Sequence, residues 1–535
     1  MSGYECKIAT IMVGQLGLIS DDPSTALQPG YLQVAKNISL KDNRLEKDFG
    51  SEKWNQNAMG TGVRAFLEFK PDGYTKKVLT VGENGRVYKY SNPYIAKVEV
   101  TALVTEPSSI LTNRSIFMLE GGAEETSNDR KIFIFSGQSK VQVIIADLNT
   151  RRPITLPAAD WTGNNQPKKG ILYKNRMVAF MGSNLYVSAA NDHEDFTGAP
   201  LTLNVYPGES DGIIDIFIFK ERLFARKDPL GLYWLDDTAT SSADWKMNRV
   251  TKSFGGSSIF CAQDVLDDVI IANNYGTLTS LKAAFQLGDV ASADIISSLK
   301  LDKFVEENLS RSGGEERHCF YDSVRKIHYT TYRSAGGIQK DRLLQMSLKG
   351  ENSRFSLVTK DQPECLGSIS DVNNIQRPYY GAKDGFIYRM DSPNRLVGSS
   401  AFLGEFWIHH TDFSSGDPVH AENTKQFDFI EIVYIPTGNT VLTVEHYIDG
   451  RKIKSQPVTL KGEAACTLGQ GILGSADPTY TFKTSSNEPR SQKLTAGGSG
   501  RRISIRCYNQ ESNRNFVILK INVYYRDLDQ KQVDK

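Results

Sequence analysis

Histidines and carboxylates are the residues of this chain best suited to catalysis, yet their spacing matches no common catalytic motif. His193 and Glu194 begin an H-E-x-x-H zinc pattern, but Thr197 stands where the second histidine would have to be. No G-x-x-x-x-G-K-[ST] loop is present to hold phosphates, and no glycine-rich dinucleotide loop follows a predicted strand. We also expect no serine nucleophile on a G-x-S-x-G turn. These patterns predict no catalytic residue and no cofactor-binding residue.

Candidate metal ligands are also sparse. His409, His410 and His420 could bind a metal in principle, but neighbouring residues on a strand point to opposite faces of the sheet. The six cysteines, at positions 6, 261, 319, 365, 466 and 507, form no C-x-x-C pair of the kind that zinc and redox sites use. We therefore predict no metal site and a chain that folds in a reducing cytoplasm.

Paired carboxylates recur along the chain, at Asp21-Asp22, Asp236-Asp237, Asp267-Asp268 and Glu315-Glu316. Glycoside hydrolysis needs two carboxylates that face one bond from about 5–10 Å apart, which neighbours on a turn rarely achieve. The S-x-D-x-G-x-x-W turn of sialidase-like propellers is also absent from the sequence. We interpret the pairs as solvated turns, and we predict that the protein is not an enzyme.

The elements that would have to position any site are short alternating runs with a tight turn between them, repeated at intervals of about 50 residues. These predicted hairpins begin near Lys77, Lys131, Arg176, Arg222, Asp268, Lys326 and Arg377. In the first hairpin, Asn84-Gly85 predicts a two-residue turn, because both positions tolerate positive φ. The spacing leaves room for about two further strands per hairpin, which together make the four-stranded blade of a β-propeller.

The sequence therefore predicts an all-β fold with a β-propeller of about seven blades, and six or eight blades are also compatible with the pattern. The alternative is one or two β-sandwiches, whose strands usually recur about every 8–12 residues without a longer period. Residues 281–310 have a plausible helical pattern, and we expect them to be an insertion within one blade. We assign residues 56–395 to the propeller.

Two further regions flank the predicted propeller. Alternating strands after the last hairpin predict a C-terminal β-sandwich or jelly roll over residues 396–535, in which the polar stretch 469–502 is a long loop. Residues 1–55 precede the first hairpin and predict an N-terminal arm. We expect residues 30–50 to complete a blade and residues 1–25 to contact a neighbouring subunit, because the arm is too apolar to remain solvated.

The charges of the chain balance almost completely, with 63 Lys and Arg against 62 Asp and Glu and a net charge of +1. A dedicated nucleic-acid binder would carry a basic excess, and a disordered chain would be poor in aromatic residues, which make up 10% here. The apolar stretch Ile8–Ile19 spans 12 residues, too few for the roughly 20 that a membrane-spanning helix needs. We expect a folded protein without a membrane span.

Several local patterns occur along the chain in a recognisable order. The N-terminal pattern includes Gly17, Leu18, Leu27, Pro29, Gly30, Leu32, Ala35, Asn37, Leu45 and Gly50. Later patterns include Asn175, Arg176, Ser188, Phe196, Asp211, Gly212, Ile214, Arg222, Leu223, Arg317, His318, Tyr321, Lys326 and Tyr329. In this order they resemble the β-propeller proteins of bacteriophage tails and head–tail connectors, such as tail nozzles, hubs and stabilisation proteins. The resemblance covers nearly the whole chain, which is shorter than the best-known nozzles of short-tailed phages.

This resemblance implies a non-enzymatic structural protein of the virion, forming a nozzle, hub or collar around the DNA exit channel. Its partners would be other virion proteins, namely portal, adaptor and tail fibres or spikes, and further copies of itself in a hexameric ring, with non-specific contact to transiting DNA. It would be assembled in the host cytoplasm and reside in the virion tail. Two alternatives stay open: a carbohydrate-binding or carbohydrate-cleaving propeller, tail-borne or secreted, and a cellular scaffold that binds peptides on its top face.

Overall fold

A computed structural model of the chain describes residues 6–528 apart from several internal ranges. These ranges are 14–15, 19–30, 42, 72–74, 103–109, 111–115, 123–129, 146–147, 198–200, 207, 209–211, 228–230, 240, 252–257, 273–277, 283–297, 311–315, 349–353, 414–421 and 462–487. Almost all described elements are β-strands, accompanied by the α-helix Ser298–Asn308 and the short 3-10 helix Ser242–Asp244. No helix in this described part of the chain is long and apolar enough to cross a bilayer.

Seven groups of paired strands, numbered here as blades 1 to 7, follow one another along the chain. Blades 1 to 5 are separate sheets, blade 6 is continuous with the first sheet of the sandwich described below, and blade 7 continues into further strands. Blade 1 contains Val63–Phe69, Lys77–Gly82, Val87–Tyr90 and Val98–Glu99; blade 2 contains Phe117–Gly121, Lys131–Phe135, Gln142–Ile145 and Thr150–Pro153, with Thr101–Ala102 beside the last; blade 3 contains Lys169–Tyr173, Arg176–Met181, Asn184–Val187 and Leu201–Asn204. Blade 4 contains Ile213–Phe219, Arg222–Lys227, Leu232–Asp236 and Lys246–Thr251; blade 5 contains Ala262–Val265, Asp268–Ala272 and Leu278–Ser280; blade 6 contains Cys319–Asp322, Ile327–Ser334, Lys340–Ser347 and Arg354–Val358; blade 7 contains Pro363–Ser370, Gln376–Ala382 and Ile387–Ser392.

The blades form a closed ring. The first strand of each blade contacts the first strand of the next, and the first strand of blade 7 returns to contact that of blade 1. Apolar side chains from both faces of a blade fill the space between neighbours, as Val178 of blade 3 does with Leu223 and Tyr233 of blade 4. This arrangement is a seven-bladed β-propeller, so the predicted all-β propeller is confirmed.

Each predicted hairpin is the second and third strand of one blade. The turn in blade 1 differs from the predicted two-residue form. The N–H of Gly85 donates to the carbonyl of Gly82 at 2.9 Å, and Gly85 adopts a φ of 74° while Asn84 stays outside the positive region. Here an ordinary turn is followed by one glycine in the left-handed region, and together they reverse the chain. The loop is therefore longer than the two residues of the predicted Asn-Gly turn.

The last strand of blade 7 comes from the other end of the chain. Gly50–Lys53, here called the closing strand, pairs antiparallel with Ile387–Ser392. The N–H of Trp54 then donates to the carbonyl of Ile387 at 2.7 Å. The ring is therefore closed by hydrogen bonds between residues that are more than three hundred positions apart, in addition to the packing of blade 7 on blade 1.

A β-sandwich adjoins the propeller and is built from both ends of the chain. Its first sheet contains Tyr31–Lys36, Gly404–Thr411, Ile503–Asn509, Thr440–Ile448 and Arg451–Leu460, and its second contains Lys7–Met12, Ile38–Lys41, Arg44–Lys47, Val517–Asp527, Lys425–Ile435 and Arg490–Gly500. Alternate residues of the two sheets, such as Phe406, Ile432 and Val523, are buried between them. The remaining described strands are two residues long: Gly17–Leu18, Leu309–Ser310, Leu396–Val397 and Ser400–Ala401.

The N-terminal segment does not form a separate arm in the structure. Of the segment 30–50, which we expected to complete a blade, residues 31–47 lie in the sandwich. Lys36 of this segment also pairs in parallel with Leu357, in the last strand of blade 6, and the closing strand joins blade 7. Strand Lys7–Met12 pairs within the chain with Val517–Asp527. It belongs to the segment 1–25 that we expected to contact a neighbouring subunit, and that contact stays a prediction. The physical reason for the pairing is that the unpaired edge of the C-terminal strand offers the apolar N-terminus a place to bury its side chains.

Two other expectations also change. The predicted loop 469–502 contains the strand Arg490–Gly500, whose Leu494 and Ala496 face the sandwich core, while residues 462–487 lie outside the described part. The sequence did not indicate this strand, because its glycines and serines weaken the alternation of apolar and polar residues. The predicted helical stretch 281–310 includes the helix Ser298–Asn308, which lies between blades 5 and 6.

Candidate functional site

The innermost strands of a propeller surround its central channel, so the residues at their beginnings converge on one end of that channel. Arg64, Phe117, Lys169 and Glu364 lie at the starts of the first strands of blades 1, 2, 3 and 7. His318 immediately precedes the first strand of blade 6. Convergent polar groups at a concave centre are where a binding site would be sought first.

Aromatic rings meet at this end of the channel. The ring of Phe117 lies 5.9 Å from that of Phe260, centroid to centroid, and Phe260 stacks on His318 at 3.8 Å with an interplanar angle of 17°. Phe117 belongs to blade 2, whereas Phe260 lies two residues before the first strand of blade 5, and these blades are not neighbours in the ring. Their contact therefore crosses the channel. We call Phe117, Phe260 and His318 the channel plug.

A buried group of charges lies on one side of the channel plug. The ammonium of Lys169 is 5.1 Å from the ring centroid of Phe117 and donates to Asp215 at 2.7 Å and to the carbonyl of Ile259 at 3.0 Å. Arg226 donates to the other oxygen of Asp215 at 3.3 Å. The side chains of Asp215 and Arg226 are 0% exposed, and burial raises the pKa of Asp215 against the opposing effect of its two cations. One carboxylate thus holds two buried cations together.

A second group of charges lies on the other side. Arg64 forms an ion pair with Glu364 at 3.0 Å, and Lys340 donates to the carbonyls of Glu316 at 3.2 Å and of Glu364. Burial, together with the charges of Lys340 and Arg64, holds the pKa of His318 well below its usual range. The imidazole is therefore neutral at physiological pH. These contacts hold blades 1, 6 and 7 together at the channel end.

The junction between propeller and sandwich is a second polar site. The guanidinium groups of Arg395 and Arg325 lie 4.2 Å and 5.3 Å from the ring centroid of Phe49. Arg325 also donates to Asp322 at 2.5 Å and to the hydroxyl of Tyr329 at 2.7 Å. Cation–π contacts of this kind reach about 2 kcal/mol where water is excluded. The segment that leads into the closing strand is thereby fixed against blade 6.

The residues just before Phe49 contact both domains. Lys47 donates to Asn509 Oδ1 and to the carbonyl of Glu511, each at 3.0 Å, and both partners belong to the sandwich. Asp48 lies 3.6 Å from the ammonium of Lys360, which follows blade 6. Burial, together with a nearby arginine charge, lowers the pKa of Lys47 to about 8. Two consecutive residues therefore tie the sandwich and the propeller to each other.

Three residues of the N-terminal pattern have defined structural roles at this junction. A Cβ at Gly17 would lie 2.9 Å from the backbone nitrogen of Phe355 in blade 6, and a Cβ at Gly50 would lie 1.6 Å from the carbonyl oxygen of Asn394. Asn37 has a φ of 52°, and its side chain accepts from the N–H of Thr359 at 2.7 Å. Close backbone approach and a left-handed conformation explain why glycine and asparagine occupy these positions.

The H-E pair of the sequence has partners within the fold. His193 Nδ1 accepts from the N–H of Gly122 at 2.9 Å, and burial lowers the pKa of His193. Glu194 accepts from Arg152 at 2.6 Å and 2.8 Å and lies 2.8 Å from the ammonium of Lys131. Burial alone would raise the pKa of Glu194, but these cations outweigh the effect of burial and lower the pKa to about 2. The carboxylate therefore ties blade 3 to blade 2.

The other histidines weighed from the sequence do not come together. His409 and His410 are consecutive on one strand; His409 is buried, with Nδ1 3.2 Å from the carbonyl of Tyr31, and burial lowers the pKa of His410. His420 lies outside the described residues. Within the described ranges, no three His, Cys, Asp or Glu side chains are grouped so that they could hold a metal ion.

Two of the carboxylate pairs are described in full. Asp236 and Asp268 accept hydrogen bonds from nearby backbone N–H groups, while Asp237 and Asp267 lie beside lysines. Each of these carboxylates therefore either accepts a hydrogen bond within its own turn or forms an ion pair. The pair at 21–22 and the first member of the pair at 315–316 lie outside the described residues.

The expectation of no G-x-S-x-G sequence is wrong, because GESDG at 208–212 matches it. This stretch leads into the first strand of blade 4, whereas a nucleophile elbow joins a strand to a helix. The stretch GQGILG at 469–474 matches a dinucleotide loop in letters, and it lies outside the described residues. Residues 209–211 are outside the description as well.

Neither the channel plug nor the charges around it could be read directly from the sequence. Lys169, Asp215 and Phe260 occur as single residues at the ends of strands, where charged and aromatic side chains are common. Their burial depends on ring closure, which brings blades 2, 3, 4 and 5 to one axis. A usable signal would have been the repeated position of charged residues at the start of the predicted first strands.

No protein-family model and no curated protein sequence matches the chain. Solved structures similar to it include YCF48 bound to D1 peptide, at 10% identity and a TM-score of 0.37, covering 64% of this chain and 95% of that chain. Another is Raptor of Chaetomium thermophilum, at 8% identity and a TM-score of 0.39, covering 64% of this chain and 29% of that chain. A third is BBS1N in complex with ARL6DN, at 8% identity and a TM-score of 0.38, covering 64% of this chain and 96% of that chain. The strand pairing described above defines the class of this protein as a β-propeller. More particularly, it is a seven-bladed propeller joined to a β-sandwich made from both ends of the chain.

Proposed function

We propose that this chain is a non-enzymatic structural protein of a bacteriophage virion, located in the tail or the head–tail joint. The observation that carries the proposal is the course of residues 31–53, which pass through both sandwich sheets and then close blade 7. A segment shared by two domains holds them in one orientation, whereas domains joined by a simple linker move by default. A fixed orientation suits a mechanical part of a virion.

The buried charges of the junction support the same proposal. Lys47, Asp48 and Lys360 are withdrawn from water and contact residues on both sides of the domain boundary. Removing one partner of a buried ion pair costs about 3–5 kcal/mol, so the two domains resist separation. A virion part has to withstand assembly, storage and DNA release without such separation.

The channel end supports a role without turnover. Its aromatic rings contact each other across the axis, and its charges are engaged with one another, as Lys169 is with Asp215 and Arg64 with Glu364. A catalytic or ligand-binding end would instead have to direct some of these groups towards a substrate. The resemblance of the N-terminal pattern to phage tail propellers adds the particular setting.

We further propose that the chain assembles as a hexameric ring with portal, adaptor and fibre or spike proteins as partners. Such rings use heterologous interfaces between identical subunits. The net charge of +1 is compatible with a ring through which DNA passes, because each additional basic contact to phosphate would strengthen retention of the DNA.

The test starts from purified virions of the phage that encodes the chain. Gold-labelled antibody against the sandwich should mark one end of the virion, and native mass spectrometry of the purified chain should show a closed oligomer. Absence of the chain from gradient-purified virions would overturn the proposal. Cleavage of host polysaccharide by the pure chain would instead favour the carbohydrate-active alternative.

A further inference from the structure

Two segments that begin neighbouring blades run side by side. Phe260, just before blade 5, and His318, just before blade 6, form a parallel β-bridge, and the N–H of Cys319 donates to the carbonyl of Phe260 at 3.0 Å. The rings of Phe260 and His318 stack at 3.8 Å on one side of this bridge. The next residue of each segment is a cysteine, Cys261 in one and Cys319 in the other.

The bridge brings these two cysteines together. Successive side chains alternate between the faces of a strand, so Cys261 and Cys319 both project to the face opposite the stacked rings. Adjacent strands are about 4.8 Å apart, and a disulfide accommodates Cα separations of about 4.4–6.8 Å. Both side chains are buried in one apolar cluster. Burial raises the pKa of the Cys319 thiol well above its usual range, and a hydrogen bond and a charge interaction with Cys261 raise it further.

We propose that Cys261 and Cys319 are an oxidation site at which a disulfide closes between blade 5 and blade 6. The oxidant is a peroxide. The thiolate of one cysteine attacks a peroxide oxygen, so that a sulfur–oxygen bond forms, the oxygen–oxygen bond breaks and hydroxide leaves. The second thiolate attacks the resulting sulfenic sulfur, a sulfur–sulfur bond forms, and hydroxide leaves again. The two thiol protons convert both hydroxides to water, and the protein loses two hydrogen atoms.

The other described cysteines provide matched comparisons. Cys365 and Cys507 are also buried, and burial raises the pKa of each. Cys365 donates to the carbonyl of Val63 at 3.6 Å, and Cys507 is paired in register with Phe406 and Val444, so neither has a thiol beside it in its strand pairing. Burial keeps the thiolate fraction low at all four positions, so the reaction of the pair is slow compared with that of an exposed thiol such as Cys6.

The disulfide would link blades across a long insertion. The chain between the two cysteines includes the helix Ser298–Asn308, and blade 5 contributes three described strands to the ring. A covalent link at the starts of two adjacent blades limits how far they separate in the unfolded chain. Oxidation should therefore raise the unfolding midpoint of the protein.

The test uses the reduced full-length chain. The protein is treated with dilute hydrogen peroxide, denatured in excess N-ethylmaleimide and digested without a reductant, and the peptides are analysed by mass spectrometry. We expect a cross-linked peptide that joins Cys261 to Cys319, while Cys365 and Cys507 are recovered as maleimide adducts. The peroxide exposure is extended well beyond the time that oxidises the exposed Cys6, because the buried pair reacts more slowly. Recovery of Cys261 and Cys319 after that exposure as adducts, as separate oxidised acids or in links to other cysteines would overturn the proposal.

A second measurement separates the cross-link from general effects of peroxide. The unfolding midpoint of the peroxide-treated wild type should fall when a reductant is added. Cys261→Ser should abolish that reductant-dependent shift, whereas the matched buried variant Cys507→Ser should retain it. Loss of the shift in both variants, or its persistence in Cys261→Ser, contradicts the assignment. If Cys261→Ser does not fold, the peptide map of the wild type decides the question.

Discussion

Gly85 and Ile110 touch through their backbones where blade 1 meets the segment that leads into blade 2. The N–H of Ile110 donates to the carbonyl of Gly85 at 2.7 Å, and a Cβ at Gly85 would lie 1.9 Å from the carbonyl oxygen of Ile110. Blade 7 repeats this arrangement: the N–H of Met59 donates to the carbonyl of Gly385 at 2.8 Å. In both blades the hairpin turn is therefore also a docking point for a distant segment.

Replacing Gly85 should destabilise the protein more than the turn conformation alone requires. Gly85→Ala combines a φ of 74° with a backbone collision, and we expect a loss of about 2–4 kcal/mol in the free energy of unfolding. Gly182→Ala is the matched control, because its φ is 58° but nothing lies within 4 Å of the added Cβ; its loss should be about 1 kcal/mol. Urea denaturation of both variants measures the difference. Equal losses would show that Ile110 does not constrain the turn.

Removing the charge of Asp215 should be among the most costly single changes. Asp215→Asn leaves Lys169 and Arg226 buried without a counter-ion, and such losses are about 3–5 kcal/mol. The control is Asp267→Asn, because Asp267 is 74% exposed in its pair with Lys282 and exposed ion pairs contribute little to stability. Guanidinium denaturation measures both losses.

A double variant tests whether the cause is the unpaired charge. Asp215→Asn combined with Lys169→Met should lose less stability than the sum of the two single changes, because the second change removes one of the two cations left without a counter-ion. Additive losses would show that the carboxylate acts mainly through packing.

Much of the fold was predictable because it repeats. The hairpins beginning near Lys77, Arg176 and Arg222 have local turns and alternating side chains, and each became the centre of a blade. Strand pairing between distant segments was not predictable in the same way. Nothing in the sequence around Gly50–Lys53 indicates that its partner is Ile387–Ser392, because pairing registers between distant strands leave no local periodicity.

The candidate site was less predictable than the fold. Phe260 and His318 belong to short segments between blades, and their stacking follows from the register of a single parallel bridge. Lys47 appears in the sequence as an ordinary lysine at the end of a strand, yet it is buried between two domains. A buried polar residue of this kind is specified by its partners in three dimensions and not by its neighbours in sequence.

Glu194 should make the protein sensitive to acid. Its pKa is about 2 in the folded chain and about 4.5 when unfolded, so its stabilising contribution is complete above pH 4.5 and is lost as the pH falls towards 2. Between pH 7 and pH 3 this group should account for about 2 kcal/mol of lost stability. Glu194→Gln should remove that part of the pH dependence, and Glu488→Gln, at an exposed position, should leave it intact. Urea denaturation at the two pH values measures it, and an unchanged slope in Glu194→Gln would contradict the expectation.

Lys47 should make the stability of the protein rise with pH in the basic range. Its pKa is lowered to about 8 in the folded chain, against 10.5 when unfolded, so the unfolded chain binds more protons between these values. The contribution of this group to stability therefore rises as the pH increases from 8 to 10.5, by about 2 kcal/mol at pH 10. Lys47→Met should lack this rise relative to the wild type, whereas Lys454→Met, at an exposed position, should retain it. Parallel curves for wild type and Lys47→Met would place the lysine in contact with water.

The closing strand should control the stability of the seam between blades 7 and 1. A Cβ at Gly50 would lie 1.6 Å from the carbonyl oxygen of Asn394 and 2.4 Å from that of Leu396, so Gly50→Ala has to displace the strand from its partner. We expect a loss of about 2–4 kcal/mol and faster amide hydrogen exchange throughout residues 363–392, because an unpaired blade edge opens more readily. Blade 4, which lies opposite this seam in the ring, should exchange at its wild-type rate. Gly208→Ala is the control, since nothing lies within 4 Å of its added Cβ. Uniformly faster exchange in all blades would mean that Gly50 supports global stability and not ring closure.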